Sequence, residues 1–246
     1  MRKSITTILW GKFKNEKEFL TTLKYIKQLG YDSVGLEVRM LPSQLLREPR
    51  KVKDALEEVG LENGGSYSVM KEQDIEWAKA AGSRLLWVVV REKNCNDALR
   101  ILAEFTDKAS SEGITVALHN HLRTCFENEN QVLNALESIP KLKICLDTAH
   151  AEAAGIDSIK FINEHTNKIG LVHLKDLRVK APKSKIRFTR DFVNMGNGII
   201  DFKPIINALK NVKYGGDLMI EVEALSGQSP NDIARNSIEY LNKLLQ

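Results

Sequence analysis

The sequence predicts a single (β/α)8 barrel, an α/β fold in which residues 1–246 form one domain. Three observations predict it. Short apolar runs alternate with amphipathic helical stretches eight times in 246 residues, and a barrel of this kind needs about 250. Several runs are apolar on both faces, as strands of a parallel sheet buried on two sides must be. The polar residues that close these runs gather at their C-terminal ends, where barrels of this architecture carry chemistry.

The first strand is expected from Ile5 to Trp10. A helix follows from about Glu16, with Phe19, Leu23 and Ile26 at helical spacing, and stops at Gly30. A strand from Ser33 to Arg39 and a helix running to Gly60 come next, then a glycine-rich strand from Leu61 to Val69. A helix over Glu72–Ala81 precedes the strand Arg84–Val90, and a helix over Asn96–Glu112 carries Ala98, Leu102, Phe105 and Ala109 on one face. The strand Ile114–His121, the helix Asn130–Ser138, the strand Leu142–Asp147 and a helix near Ser158–Glu164 continue the alternation. The strand Ile169–Lys175 is followed by a long loop from Leu177 to Asn197. A helix over Phe202–Leu209, the strand Leu218–Glu223 and a helix from about Asp232 finish the chain. Gly30, Gly60, Gly82 and Gly113 sit where a helix must stop, the usual place of a left-handed glycine. An open doubly wound sheet would want a glycine-rich turn after its first strand, and Trp10-Gly-Lys-Phe offers one glycine.

Composition narrows the function. Hydrophobic residues make up 43% and charged residues 28%, enough for a large core and a polar surface. The formal charge of +4 is too small to argue for a nucleic-acid partner, though it tolerates an anionic substrate. No apolar run reaches membrane-spanning length, and the N-terminus lacks the long apolar core of a signal peptide. Cys95, Cys125 and Cys145 show no metal or disulfide spacing, so reduced thiols and a cytoplasmic location are expected.

Chemistry is expected at the strand ends. Ile144-Cys-Leu-Asp147 runs straight from apolar residues into a carboxylate, an expensive arrangement unless a cation compensates it. The pattern recurs at Gly170-Leu-Val-His173 and at Leu218-Met-Ile-Glu221. Glu37 and Arg39, Ser66 and Ser68, Arg91, and His119 with His121 end the other strands. Any one of these would more often be an ordinary hydrogen-bonded residue. Asp147, His173 and Glu221 together would crowd uncompensated charge into one barrel mouth.

These segments resemble the sugar phosphate isomerase/epimerase family of xylose isomerase-like TIM barrels, whose relatives include inosose dehydratase and the ketose 3-epimerases. His119-Asn-His121 followed by Glu127 is similar to its HxH segment with a later glutamate. Asp147-Thr-Ala-His150 resembles DTGH, with Ala149 for glycine, and Val172-His173-Leu-Lys175-Asp176 matches VHLKD. Gly196-Asn-Gly198-Ile-Ile-Asp201-Phe202 is similar to GxGxxDF, and Tyr214 to Glu221 resembles the GYxGxxxxE strand. The resemblance implies a divalent metal held by Glu127, Asp147, His173 and Glu221. Mn2+ suits that oxygen-rich set best, with Mg2+, Co2+ or Zn2+ as substitutes. It implies proton transfer next to a carbonyl of a sugar, sugar derivative or cyclitol, hence isomerisation or epimerisation through an enediolate. If a β-hydroxyl or glycosyl group leaves instead, the enzyme is a dehydratase or lyase.

Glu127, Glu221, His119, His121 and His150 are the acid/base candidates, with Lys175 placed to neutralise developing charge or to hold a ligand carboxylate. The ketose 3-epimerases carry a glutamate at the end of strand five, where this chain has His119-Asn-His121, which moves weight toward dehydratase chemistry. Trp10, Glu37, Arg91 and Glu223 are candidate substrate contacts, Trp10 by stacking on a sugar face. The basic stretch 178–190 reads either as a lid over the mouth or as a solvated loop. A homo-oligomer stays open. Two other classes remain: an abasic-site endonuclease, which would want more histidines than the five present, and a sugar-binding barrel without catalysis.

Overall fold

The barrel is built from β1 (Arg2–Thr6), β2 (Ser33–Leu36), β3 (Glu62–Ser68), β4 (Leu85–Val88), β5 (Thr115–His119), β6 (Lys143–Asp147), β7 (Ile169–Leu174) and β10 (Asp217–Ile220). In this computed structural model, which describes residues 1–246 except 224 and 226, they close in the order β1-β10-β7-β6-β5-β4-β3-β2. Every neighbouring pair is parallel. The main outer helices are α1 (Glu16–Gln28), α3 (Pro49–Val59), α4 (Glu72–Ala80), α5 (Cys95–Ser111), α6 (Glu129–Ser138), α8 (Ser158–His165), α10 (Phe202–Asn211) and α11 (Pro230–Leu245).

Local chemistry sets these elements. The Asn15 side chain accepts from Glu18 N–H to start α1, Asn128 and Gln131 form a reciprocal cap on α6, and Ser229 caps α11 ahead of Pro230. Gly60 closes α3 at φ 75°, a left-handed position that a side chain would strain. Phe19, Leu23, Ile26, Leu102 and Phe161 are buried between helices and strands, while Tyr67, Trp87, Cys145, Leu171 and Met219 form a separate cluster.

The strands are shorter than the apolar runs suggest. Thr7–Trp10 winds into a 3-10 turn after β1 and Val38–Met40 into another after β2, so the rim residues stand on turns beyond the ladder. The helix expected to run to Gly60 is two, α2 (Ser43–Arg47) and α3, because Pro49 cannot continue a helix but starts one well. A short helix absent from the expectation, α7 (Thr148–Ala154), follows β6 directly. The stretch expected as plain loop holds β8 (Asp176–Leu177), α9 (Phe188–Asp191) and β9 (Phe192–Val193), with β8 and β9 paired antiparallel.

The cysteine expectation is corrected. Cys95 and Cys125 form a disulfide with Cα atoms 5.3 Å apart, and Cys145 is free and buried. Thirty positions separate the pair, but α5 follows β4 and Cys125 follows the adjacent β5, so the barrel brings both loops together. Spacing along the chain carried no trace of this, and the reduced-thiol argument for a cytoplasmic location falls with it. No helix among the described residues is long and apolar enough to cross a membrane.

Candidate active site

Asp147 and His173 occupy paired register positions on β6 and β7. His119 ends β5, and Glu221 follows β10 directly. One donor atom from each of His119, Asp147, His173 and Glu221 lies within 4.8 Å of all the others, and all four residues are buried. His119 Nε2 is 3.4 Å from Asp147 Oδ2 and His173 Nδ1 is 2.9 Å from Glu221 Oε2. Glu127 stands apart from this group. It lies on the loop after β5, accepts the Arg123 N–H at 2.7 Å and pairs with Lys183. His119 therefore occupies the fourth corner that the family resemblance gave to Glu127.

Surrounding groups hold the corners in place. Asn120 bonds both ways with the Asp147 backbone, donating to its carbonyl at 3.1 Å and accepting from its N–H at 2.8 Å. Asp147 Oδ1 accepts the His150 N–H at 2.9 Å, so the carboxylate doubles as the cap of α7. Thr148 Oγ1 donates to the Lys175 carbonyl at 2.6 Å. Lys175, 1% exposed, places its ammonium 2.5 Å from Glu221, 2.8 Å from Glu223 and 3.3 Å from Asp147. Burial is the largest influence and works to raise the Asp147 and Glu221 carboxyls, but the Lys175 charge together with His119 for Asp147, and with His173 and His119 for Glu221, outweighs it and holds both below the usual range.

The residues fit a divalent cation. Asp147 Oδ2, His119 Nδ1 and both ring nitrogens of His173 are buried without a hydrogen-bond partner; the short His173–Glu221 approach lacks hydrogen-bonding geometry. Orphaned buried donors and acceptors are costly, and Asp147 Oδ2 and His173 Nδ1, which lie beside His119 Nε2 and Glu221 Oε2, are what a cation would satisfy. Ligands about 2.0–2.6 Å from one ion fall within the observed mutual spacing. Two imidazoles with two carboxylates form a more nitrogen-rich set than the three-carboxylate expectation.

His121 and His150 lie beside this group, ring centroids 4.3 Å apart. His121 Nδ1 is 2.7 Å from the Leu122 carbonyl, which can only accept, so the proton sits on Nδ1 and Nε2 keeps its lone pair. His150 Nδ1 accepts the Leu122 N–H at 2.9 Å, leaving its proton on Nε2. Burial, aided by His119, pushes His121 down to about 3, so it is neutral at ordinary pH. Burial also drives His150 well down. The basic stretch folds over these rings: Phe188 lies 5.1 Å from His121 and 5.4 Å from His150, Arg123 donates to the Ile186 carbonyl at 2.6 Å, and Lys183 grips Glu127.

The remaining expected residues are spread around the rim. Glu37 is buried and pairs with Arg39 at 2.7 Å; its carboxyl is raised by burial against that pairing. Trp10 donates its indole N–H to Asn231 at 2.9 Å. Glu223 is held by Lys175, and Arg91 is exposed. Tyr67, with Arg39 4.3 Å above its ring, and Trp87, 5.5 Å from His173, went unnoticed in the sequence because both read as core apolar residues. Asp176, next to Lys175, accepts four backbone N–H groups, from Leu177, Gly196, Gly198 and Ile200. A Cβ at Gly198 would collide with it.

Fold and site together define a (β/α)8 barrel with a buried, cation-ready cluster at the C-terminal mouth. The xylose isomerase-like TIM barrel description matches residues 71–244, and the chain belongs to that family. It is 32% identical over 151 residues to an inosose dehydratase of Geobacillus thermodenitrificans (strain NG80-2), covering 57% of this chain and 49% of that one. It is 30% identical over 167 residues to an inosose dehydratase of Clostridium tetani (strain Massachusetts / E88), covering 63% and 54%. The chain thus spans about half the length of these curated relatives. Among solved structures it is similar to an L-ribulose 3-epimerase, at TM-score 0.81 and 18% identity over 99% of this chain and 94% of that one. It also resembles the IOLI protein with a binding zinc atom, at TM-score 0.79 and 17% identity over 100% and 96%. At such identities these two likenesses show the fold alone.

Proposed function

We propose that this protein is a divalent-metal-dependent dehydratase acting on a keto-sugar or keto-cyclitol. One observation carries the reading: β5 delivers His119 to the cluster and His121 beside it, while Glu127, the carboxylate a two-glutamate epimerase would use, is turned away onto Lys183. The sequence likeness to proteins named inosose dehydratase agrees with it.

His119, Asp147, His173 and Glu221 would hold the ion, which when bound polarises a substrate carbonyl and acidifies the neighbouring C–H. Two imidazoles favour Zn2+, Co2+ or Fe2+ over Mg2+. His121 Nε2, a lone pair on a neutral ring, takes the proton from the carbon next to the carbonyl. A carbon–carbon double bond forms as the bond to the adjacent hydroxyl breaks. His121 returns its proton to that oxygen, and water leaves. One imidazole serves both transfers from one face. Lys175 keeps Asp147 and Glu221 ionised and holds Glu223 beside them, and Phe188 shields the histidines from bulk water.

A second reading has its own observation. Glu37, a buried carboxyl raised by its surroundings, stands on the turn after β2, on another side of the mouth from His121. Two proton-transfer groups on different sides suit epimerisation or isomerisation. Incubating the metal-loaded protein with a keto-cyclitol in D2O separates the two by mass spectrometry. Loss of water supports the dehydratase. Deuterium uptake with every oxygen retained supports the isomerase.

A further inference from the structure

We propose that the substrate carries a carboxylate, received at the open side of the mouth by Arg39 and Arg91 across Tyr67. This rests on the carbonyl-directed reading above and adds the chemical class of the substrate. The β5 and β6 side of the mouth is closed by His121, His150 and the Phe188 stretch. The β2 to β4 side presents two guanidinium groups instead. Arg39 is held at Nε by Glu37 at 2.7 Å and lies with its guanidinium carbon 4.3 Å over the Tyr67 ring, yet its side chain stays half exposed. A guanidinium locked in this way is preorganised and loses little freedom when it takes a planar anion.

Arg91 follows the β4 run and faces the same phenol, whose ionisation it bears on along with Arg39. No carboxylate among the described residues lies within 4.0 Å of it. An arginine with no carboxylate partner beside an arginine already in use is a poor structural arrangement and a good anion site. Tyr67 sits 6.3 Å from Trp87, and Trp87 5.5 Å from His173. From Arg39 the contacts run through Tyr67 and Trp87 to His173, so the arginines and the metal cluster share one wall of the mouth.

Charge chooses between anions. At the cluster, three carboxylates and Lys175 leave two negative charges, which one divalent ion balances. At the rim, Arg39 and Arg91 against Glu37 leave a single positive charge. A carboxylate neutralises it, whereas a phosphate dianion would bring one negative charge too many into a half-buried site.

Isothermal titration of the zinc-loaded protein tests this with three probes: tetrahydroxycyclohexane carboxylate (quinate), its methyl ester, and inositol monophosphate. The acid is expected to bind about ten-fold tighter than the ester or more, the yield of a charge-assisted pair. Arg91→Met and Arg39→Met should each reduce that preference toward parity, and Arg91→Lys should restore part of it. Zinc content equal to wild type shows that the variants fold. Equal affinity for acid and ester, tighter binding of the phosphate, no binding of the acid, or a preference that survives both methionine variants overturns the proposal. Failure of the dehydratase reading looks different: the acid keeps its advantage while keto-cyclitols lose no water.

Discussion

His121 and His150 hold opposite tautomers because both read the backbone of Leu122, one from its carbonyl and the other from its N–H. The same residue fixes a bare Nε2 on His121 and a protonated Nε2 on His150. The bare ring nitrogen that the proposed dehydratase would use as its base is thus set by main-chain geometry, without a carboxylate partner.

His121→Gln should cut turnover by about 10²–10⁴-fold, the usual worth of a positioned acid/base group. Its metal content should not change, since His121 is outside the four-residue cluster. Turnover measured alongside elemental analysis checks this. A variant that keeps its rate removes His121 from the chemistry.

Lys175→Met should destabilise the metal-free protein by about 3–5 kcal/mol, because Asp147, Glu221 and Glu223 lose the cation they share at a largely buried site. A divalent ion should recover much of the loss. Denaturant melts with and without zinc test it, and an undiminished midpoint in the metal-free variant would show that Lys175 does not balance these carboxylates.

Burial works to raise the Glu127 carboxyl, but Lys183 and the Arg123 N–H outweigh it and hold it below the ordinary range. A depressed carboxyl contributes stability that is complete above its unfolded value and lost as pH falls through the folded one. Attachment of the 178–190 stretch should therefore be constant from neutral pH down to about 4.3 and weaken only below that. Amide exchange over residues 178–193, corrected for intrinsic rate, reads it. Loosening already near neutrality would contradict the assignment.

The Cys95–Cys125 bond ties the start of α5 to the loop that carries Arg123 and Glu127, both of which hold the Phe188 stretch. For the 30-position separation, the chain-entropy estimate is about 3–4 kcal/mol. Reduction should lower the melting point and raise exchange in residues 120–128 and 183–190, leaving β6 and β7 protected. Uniform loss of protection would show that the bond serves the whole barrel.

The barrel was legible because periodicity and glycine stops are local. Asp147, His173 and Glu221 were legible for a related reason: an apolar strand that ends in a charge announces itself. The motif pair Val172–Asp176 and Gly196–Phe202 was visible, but not that Asp176 is caged by the N–H groups of the second segment. The part that stayed hidden depends on closure of the sheet. Whether His119 or Glu127 reaches Asp147 is decided by where the loop after β5 turns, and that loop is steered by Lys183, more than fifty positions away. The disulfide escaped for the same reason. Tyr67 and Trp87 escaped because an aromatic residue facing the barrel axis looks identical in sequence to one facing a helix.

We propose that His119, with Asp147, His173 and Glu221, completes a cation site from which Glu127 is absent. Cobalt(II) titration followed by its visible absorption tests it on His119→Ala and Glu127→Gln side by side. His119→Ala should lose about 100-fold or more in affinity, at the upper end of what ligand-shell changes cost, while Glu127→Gln binds as wild type. Loss of binding in Glu127→Gln with His119→Ala unaffected would put Glu127, not His119, at the ion.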